Sequence, residues 1–379
     1  ENLHRLNIQT TIVEATSHVV NTLDDDMASI LHNHIREKGV SLYLNSKAVA
    51  FNQYHVVLHT GQQLPADLVL LSIGVAPETG FLADSGIALG SRKEILTDAQ
   101  GRTNIADVYA LGDAAAVKHI VSGASTIIPL ASPANKQARI VADVIAGKNA
   151  AYMGSQGTAI AQVFDKVVAV TGENERSLQM QNRPYLTSVS VNNHHASYYP
   201  GAERLIIKCY FTPNEGVLLG AQIVGSQGVD KRIDSLAIAI RYGMKVTDLQ
   251  DFELAYAPPF GSAKDPVNMA GYVAQNVLTG KTRQILPIEL MHSEAVKLDV
   301  RDDDEVQEGT MADSVHIPLP QLRKRMNELD KNKTYIIYCA VGLRGYLAEQ
   351  ILRLNGYDVY NAAGGYYFYQ EYLNSYTNK

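Results

Sequence analysis

Cysteine is scarce in this chain: Cys209 and Cys339 are the only two among 379 residues. Two thiols cannot staple a secreted scaffold, so a disulfide framework is excluded and a reducing, cytoplasmic setting is the expectation. Long apolar runs are also missing. No stretch approaches the roughly 20 uninterrupted apolar residues that a membrane helix requires, and the opening residues lack the pattern of a signal peptide. An excess of positive charge is absent: 33 Lys and Arg against 39 Asp and Glu leave a net charge of -6. That balance argues against general binding to a nucleic-acid backbone. There is no internal repeat and no low-complexity segment. What is present, 46% hydrophobic and 19% charged residues, is the composition of a globular protein, and the length suits about two or three domains.

Glu1-Asn2-Leu3-His4-Arg5-Leu6 reads as the tail of a helix already under way, and it runs into a β-branched strand from Ile8 to Glu14 that ends in an acid. That is the second half of a βαβ unit. Its first strand and glycine turn would lie upstream, so the expectation is that these residues continue a longer polypeptide. Over 24–38, Met27, Ile30, Leu31 and Ile35 fall at helical spacing, with acids at the entry, Arg36 and Lys38 near the exit and Gly39 as the stop. Short strands at 40–44, 47–52 and 55–60 follow, Gly61 makes a turn, and the apolar run Leu68-Val69-Leu70-Leu71-Ser72-Ile73 predicts a buried strand. The pattern is that of a Rossmann-like domain carrying a β-meander before its last strand.

From 88 to 149 the pattern gives a strand ending in Tyr109-Ala110-Leu111-Gly112-Asp113. A long helix through Ala138, Ile140, Val141, Val144 and Ile145 then stops at Gly147. From 151 to 280, strands such as Val167–Val170 and Arg204–Lys208 alternate with helices at 230–243 and 265–279, an α+β pattern. Gly280-Lys281-Thr282 and Pro287 mark a linker before an independent α/β pattern over 288–379.

The strongest chemical signal is Tyr335-Ile336-Ile337-Tyr338-Cys339-Ala340-Val341-Gly342-Leu343-Arg344-Gly345, followed by a helix. A buried strand delivers a cysteine into a tight loop that opens a helix. Backbone N–H groups can converge there on the sulfur, the helix N-terminus favours negative charge, and Arg344 adds a positive one. All three lower a thiol pKa and stabilise a thiolate or persulfide. Lys297-Leu298-Asp299-Val300-Arg301-Asp302, Ser314-Val315-His316-Ile317-Pro318 and Gly356 to Gly365 flank it in an order that resembles a single-domain rhodanese. The resemblance covers about 290–379. It implies Cys339 as carrier of sulfane sulfur, Arg344 as the end of its cradle, and Asp299 and Arg301 as residues that hold the loops.

A second signal is Thr103-Asn104-Ile105-Ala106-Asp107-Val108-Tyr109-Ala110-Leu111-Gly112-Asp113-Ala114-Ala115. The glycine permits close approach of a ligand, and the carboxylate can accept hydrogen bonds from sugar-alcohol hydroxyls. In context it resembles the second flavin motif of the pyridine nucleotide–disulfide reductases, which implies Asn104, Gly112, Asp113 and Ala114 at FAD. Ile73-Gly74-Val75-Ala76-Pro77 resembles that superfamily's other hallmark and implies Gly74 and Pro77 near the nicotinamide. Glu14, the acid ending what would be the second strand of a dinucleotide domain, sits where it can bind both ribose hydroxyls of NADH and repel the 2′-phosphate of NADPH.

Tyr256-Ala257-Pro258-Pro259-Phe260-Gly261-Ser262-Ala263-Lys264-Asp265-Pro266 and Pro129 to Gln137 resemble the coenzyme A–disulfide reductase and NADH oxidase group. The resemblance implies that Tyr198 and Tyr256 of a dimerisation domain reach the partner subunit's flavin site, and that Lys136 and Lys264 meet the phosphates of coenzyme A. A phenol there steadies a leaving thiolate or gives it a proton. His194-His195 has no carboxylate or thiol at ligand spacing and reads as a polar loop, so no metal is expected. Cys209, inside an apolar strand, reads as a buried structural thiol.

Together these parts resemble the coenzyme A–disulfide reductase–rhodanese fusions, NADH-dependent persulfide or polysulfide reductases. The implied fold class is α/β: a partial flavoprotein reductase with two dinucleotide-binding domains, an α+β dimerisation domain and a C-terminal α/β rhodanese domain. The implied boundaries are 1–80 for part of the NAD-binding domain, 81–150 for the C-terminal part of the FAD-binding domain, 151–282 for dimerisation and 288–379 for the rhodanese. The implied cofactors are FAD and NADH, with coenzyme A as substrate or ligand; the implied partners are a second copy of the chain and small sulfur compounds, with no nucleic acid and no membrane span. One departure stands out: the family's redox cysteine and first FAD glycine motif would precede residue 1, and neither cysteine here matches that position. The expectation is therefore a chain that holds only part of the flavin and exposes sheet edges. Three other readings stay open: a sulfurtransferase acting through Cys339 alone, an NADH oxidase or peroxidase, and a flavin-independent binding module.

Overall fold

The computed structural model describes residues 1–377, and the chain divides into two compact units. One holds Glu1–Pro65, Ile160–Val170 and the chain from Asn174 onward; the other holds Ala66–Ala159 with Thr171–Glu173.

The first unit opens with α1 (Asn2–Arg5), β1 (Thr11–Val13), α2 (Asp25–Glu37) and β2 (Ser41–Tyr43), and β1 pairs with β2 in parallel across the α2 crossover. Met27, Ile30, Leu31 and Ile35 are buried along α2. Gly39 ends it at a φ of +84°, a backbone state that glycine alone adopts without strain. β3 (Ala48–Phe51), β4 (His55–Leu58) and β5 (Gln63–Pro65) form the antiparallel meander.

The second unit departs most from the sequence pattern. Leu68, Val69, Leu70, Leu71 and Ile73 are exposed, and residues 68–73 form no strand. An apolar strand persists only where neighbours complete its hydrogen bonds, and among the described residues none pairs with this run. Tyr109 makes a single bridge to Arg102 rather than a strand. Past Asp113 the backbone turns tightly, with the Ala115 N–H donating to the Gly112 carbonyl at 3.1 Å. It enters β6 (Val117–Lys118), which pairs with β7 (Ser125–Thr126), and the helix expected through Ala138 to Ile145 follows as α3 (Ala131–Ile145).

The chain returns to the first unit through β8 (Ala159–Val163) and β9 (Lys166–Gly172), followed by α4 (Glu175–Met180), β10 (Leu186–Asn193), β11 (Arg204–Phe211) and β12 (Leu218–Gly225). The sheet order is β10-β11-β12-β9-β8, and α5 (Val229–Arg241) and α6 (Pro266–Leu278) pack on it. A second five-stranded sheet, wholly parallel, is built from β13 (Gln284–Ile285), α7 (Pro287–Met291), β14 (Val296–Asp299), α8 (Asp303–Gln307), β15 (Val315–His316), α9 (Leu319–Arg325), β16 (Thr334–Tyr338), α10 (Leu343–Leu354), β17 (Asp358–Ala362) and α11 (Gly365–Thr377). Its order is β13-β17-β16-β14-β15.

The linker expected around 280–287 is not slack. β13 is the edge strand of the parallel sheet, and the Gln284 amide accepts from Val189 N–H at 2.8 Å and donates to Val189 O at 2.9 Å on β10. Thr282 and the Arg283 N–H both bond the buried Glu349 of α10. One apolar core then joins three parts of the sequence: Leu23 and Met27, Val189 and Ile206, and Phe368 of α11. Above it, the Val19 N–H donates to His32 Nε2 at 3.2 Å, and His32 Nδ1 bonds Ser375 of α11 at 2.8 Å.

Burial depresses His32 to about 3, whereas an unfolded histidine titrates near 6.5. Between those values the unfolded chain takes a proton that the native chain refuses, so this residue removes stability as the pH falls below about 6.5. From pH 7.5 to 5.5 the expected loss through His32 is about 1.4 kcal/mol. His18, held above its ordinary value chiefly by its hydrogen bond to Asp25, acts in the opposite sense. Urea unfolding of the wild type and His32→Gln at both pH values, with His18 present in each, isolates the first effect. Equal pH dependence in the two proteins contradicts it.

Candidate functional site

The parallel sheet presents a cysteine at its C-terminal edge. β16 runs between β14 and β17, and Tyr335, Ile336, Ile337 and Tyr338 are all buried, so the strand end is fixed before Cys339 begins the loop. Cys339 itself is 1% exposed. Gly342, at a φ of +105°, starts α10 and points its N–H at Cys339 Sγ, 3.2 Å away. The loop carbonyls face the other way: Cys339 O accepts from the Tyr366 N–H at 2.8 Å and Ala340 O from the Tyr367 N–H at 3.1 Å. Opposed in this manner, the carbonyl dipoles point away from the sulfur and an amide dipole points toward it, which favours negative charge on the sulfur.

Arg344 departs from expectation. Its guanidinium grips Glu305 with two bonds of 2.6 Å and Asp302 at 2.9 Å. Its hydrogen bond to Glu305 holds Arg344 well above its ordinary value, and the same bond depresses the Glu305 carboxyl. Two carboxylates thus offset the cation expected at the sulfur, and the visible task of Arg344 is to tie α10 to the start of α8. Asp299 and Arg301 brace the loops underneath: they pair at 2.6 Å, and Arg301 also donates to Gly309 O at 2.7 Å and lies over the Tyr366 ring.

Gly365 is a support that the motif spacing did not single out. Its φ is +65°, and a Cβ there would lie 2.4 Å from Cys339 O and 2.8 Å from Val341 N. Gly365→Ala is expected to displace the loop, slow sulfur transfer to cyanide at least about tenfold and cost about 1–3 kcal/mol of stability. Thiocyanate formation and a thermal melt read both; unchanged rates would show that the loop does not depend on this approach.

On the loops beside the α+β sheet, Tyr198 and Tyr256 come together: their phenol oxygens are 3.2 Å apart, and both rings are exposed, at 75% and 47%. The hydrogen bond shared with Tyr198 raises the Tyr256 phenol. Buried Arg232 holds the two loops that carry them, donating to His194 O at 2.7 Å and to Asp265 Oδ2 at 2.8 Å, while Asp265 caps α6 through the Val267 N–H at 3.0 Å. Neither arginine nor aspartate was legible as a partner of the tyrosines from spacing alone. The His194 and His195 ring centres lie 4.0 Å apart with the planes tilted by 57°, and no cluster of metal-ligand type occurs among the described residues. Lys264 is exposed on the same loop. Cys209 is fully buried, and burial pushes its thiol up to about 12, which suits a structural residue and not a nucleophile.

In the second unit, Gly112 has a φ of +83°, with Ala134 Cβ no nearer than 4.0 Å to where a side chain would begin. Gln137 accepts the Gly112 N–H at 2.9 Å. The Asp113 carboxylate is exposed and makes no hydrogen bond within the described residues. An open glycine beside an uncommitted carboxylate fits the polyol chain of FAD. Asn104 instead braces the 86–88 loop with both ends of its amide, at 2.9 Å to Gly86 O and 2.7 Å from the Ala88 N–H. Gly74, at a φ of +91°, and Pro77 lie on the exposed segment after residue 73, and Lys136 is exposed on α3. In the first unit, Glu14 Oε1 accepts from the Thr16 N–H at 2.7 Å and its hydroxyl at 2.8 Å.

Residues 1–138 match the pyridine nucleotide-disulphide oxidoreductase family, 158–266 its dimerisation domain and 288–372 the rhodanese-like domain. The crystal structure of reduced Bacillus anthracis CoADR-RHD is 40% identical, with a TM-score of 0.95 over 99% of this chain and 68% of that one. A NAD-dependent persulfide reductase from A. fulgidus is 34% identical, with a TM-score of 0.92 over 97% of this chain and 69% of that one. Coenzyme A disulfide reductase of Staphylococcus haemolyticus is 32% identical over 278 residues, 73% of this chain. The chain belongs to the pyridine nucleotide-disulphide oxidoreductase family and carries a C-terminal rhodanese-like domain. It spans 63% of the length of that curated relative.

Proposed function

We propose that the chain serves the FAD-dependent, NADH-driven reduction of coenzyme A persulfide, polysulfide or coenzyme A disulfide in a homodimer, with Cys339 relaying sulfane sulfur. The observation that carries this reading is the Cys339 loop, where an amide N–H meets the sulfur at 3.2 Å and the neighbouring carbonyls are drawn away. The domain boundaries at 80, 150, 282 and 288 belong to the same proposal.

FAD, when bound, carries electrons from NADH to the sulfur substrate. Gly112, Asp113 and Ala114 are the residues that would hold its polyol chain, with Gly74 and Pro77 on the nicotinamide side. Glu14 would accept the ribose hydroxyls of NADH, and its charge would repel a 2′-phosphate. Lys136 and Lys264 supply positive charge for the phosphates of coenzyme A. Tyr198 and Tyr256, hydrogen-bonded to each other, can stabilise a thiolate as it leaves.

The test is the visible absorption of the purified protein before and after anaerobic NADH. A flavin band that bleaches, followed by NADH oxidation that depends on coenzyme A persulfide, supports the reductase. A second reading, sulfur transfer through Cys339 alone, is favoured by the completeness of its loop. A colourless protein that still makes thiocyanate from thiosulfate and cyanide would establish that reading in place of the first.

A further inference from the structure

Asn361 lies one residue before the C-terminal end of β17, 3% exposed, with its backbone held between β13 and β16. Its side chain faces the sulfur loop. Nδ2 donates to Gly342 O at 3.2 Å, while Oδ1 is buried and takes no conventional hydrogen bond. That oxygen abuts the α-carbon of Gly345, where a Cβ would lie only 2.3 Å away. Gly345 can therefore only be glycine while Asn361 keeps this rotamer, and the weak Cα–H contact is the partner left for Oδ1.

Gly342 is the residue whose N–H meets Cys339 Sγ. Its N–H and its carbonyl belong to the two peptides on either side of one α-carbon, which sits at a φ of +105°. Gripping the carbonyl from β17, beside the Tyr346 N–H at 2.9 Å, anchors that α-carbon and so limits how the N–H can turn on the sulfur side. We infer that Asn361 is a positioning residue for the sulfur site, acting through the Gly342 carbonyl to aim the Gly342 N–H at the Cys339 sulfur. This rests on the reading of Cys339 as a sulfur carrier, but the positioning is measurable on the thiol itself.

Two variants, Asn361→Leu and Asn361→Ala, remove the donor. Gly342 O keeps the Tyr346 N–H of α10 at 2.9 Å, so it is not left bare, and leucine preserves the side-chain volume. The charged groups around the loop, Arg344 with Glu305 and Asp302 and Arg301 with Asp299, remain paired. The ultraviolet absorbance of the thiolate, taken as a difference from Cys339→Ala, gives the titration midpoint of Cys339 in each full-length protein; Cys209 is too high to interfere. Both variants are expected to raise the midpoint by about one pH unit. In thiosulfate–cyanide turnover, kcat is expected to fall about tenfold with the KM for thiosulfate changing less than twofold. Asn355→Ala, at the far end of α10, is expected to change neither.

Midpoints within about 0.2 units of wild type in both variants would overturn the positioning role. A thermal melt separates folding from chemistry, and the leucine variant reports if the alanine variant unfolds. A wild type that titrates normally yet transfers no sulfur would defeat the sulfur-carrier reading and leave the positioning result standing.

Discussion

Cys339→Ser abolishes thiocyanate formation from thiosulfate and cyanide, with the rate falling to the uncatalysed background. A hydroxyl is rarely ionised at neutral pH, and oxygen bound to sulfur is a poor store for a transferable sulfur atom. The same substitution is nearly isosteric at a position 1% exposed, so the melting temperature is expected to move little. Cys209→Ser is the matching control, because that thiol sits in the apolar strand β11, away from the loop, with its value pushed up to about 12. Loss of activity in the Cys209 variant with retention in the Cys339 variant would reverse the assignment.

Lys208→Met is the second large effect, and it falls on stability. Lys208 is fully buried on β11 and bonds Asp26 at 2.8 and 2.7 Å and Asp24 at 2.8 Å. Tyr210 donates to the same Asp24, and Gln222 joins at 3.1 Å. Burial alone would drive the ammonium toward neutrality, but the Asp26 and Asp24 carboxylates raise it and keep it charged. Burial raises the Asp26 carboxyl despite its partner. Removing the one cation leaves two carboxylates buried together, which costs about 3–5 kcal/mol. Urea unfolding measures this, and adding Asp26→Asn to the lysine variant is expected to return part of the loss. A change below about 1 kcal/mol would mean that water or a rearranged side chain already compensates those charges.

What was legible in the sequence was local. The α2 helix announced itself through Met27, Ile30, Leu31 and Ile35 and its glycine stop, and the Cys339 loop through a β-branched run followed by Gly342 and Arg344. Pairings across long separations were not legible. Lys208 meets Asp26 across 182 residues and His32 meets Ser375 across 343, and no periodicity carries such distances. Arg344 was read as a free cation because its partners Glu305 and Asp302 belong to another helix. The linker was read from its glycine and proline, yet Gln284 and Ile285 gain a strand because β17 offers them an open edge. Residues 68–73 show the converse: strand composition alone forms no strand without a ladder beside it. Asn361 carried no signal beyond its place before the paired glycines, since its role depends on which carbonyl the fold sets in front of it.

The most direct test of the account is the mass of Cys339 after exposure of the protein to thiosulfate or polysulfide, followed by cyanide. The account predicts one added sulfur atom on the peptide containing Cys339, none on that containing Cys209, and its removal by cyanide as thiocyanate. A Cys339 peptide that stays unmodified while the protein turns over sulfur would contradict it.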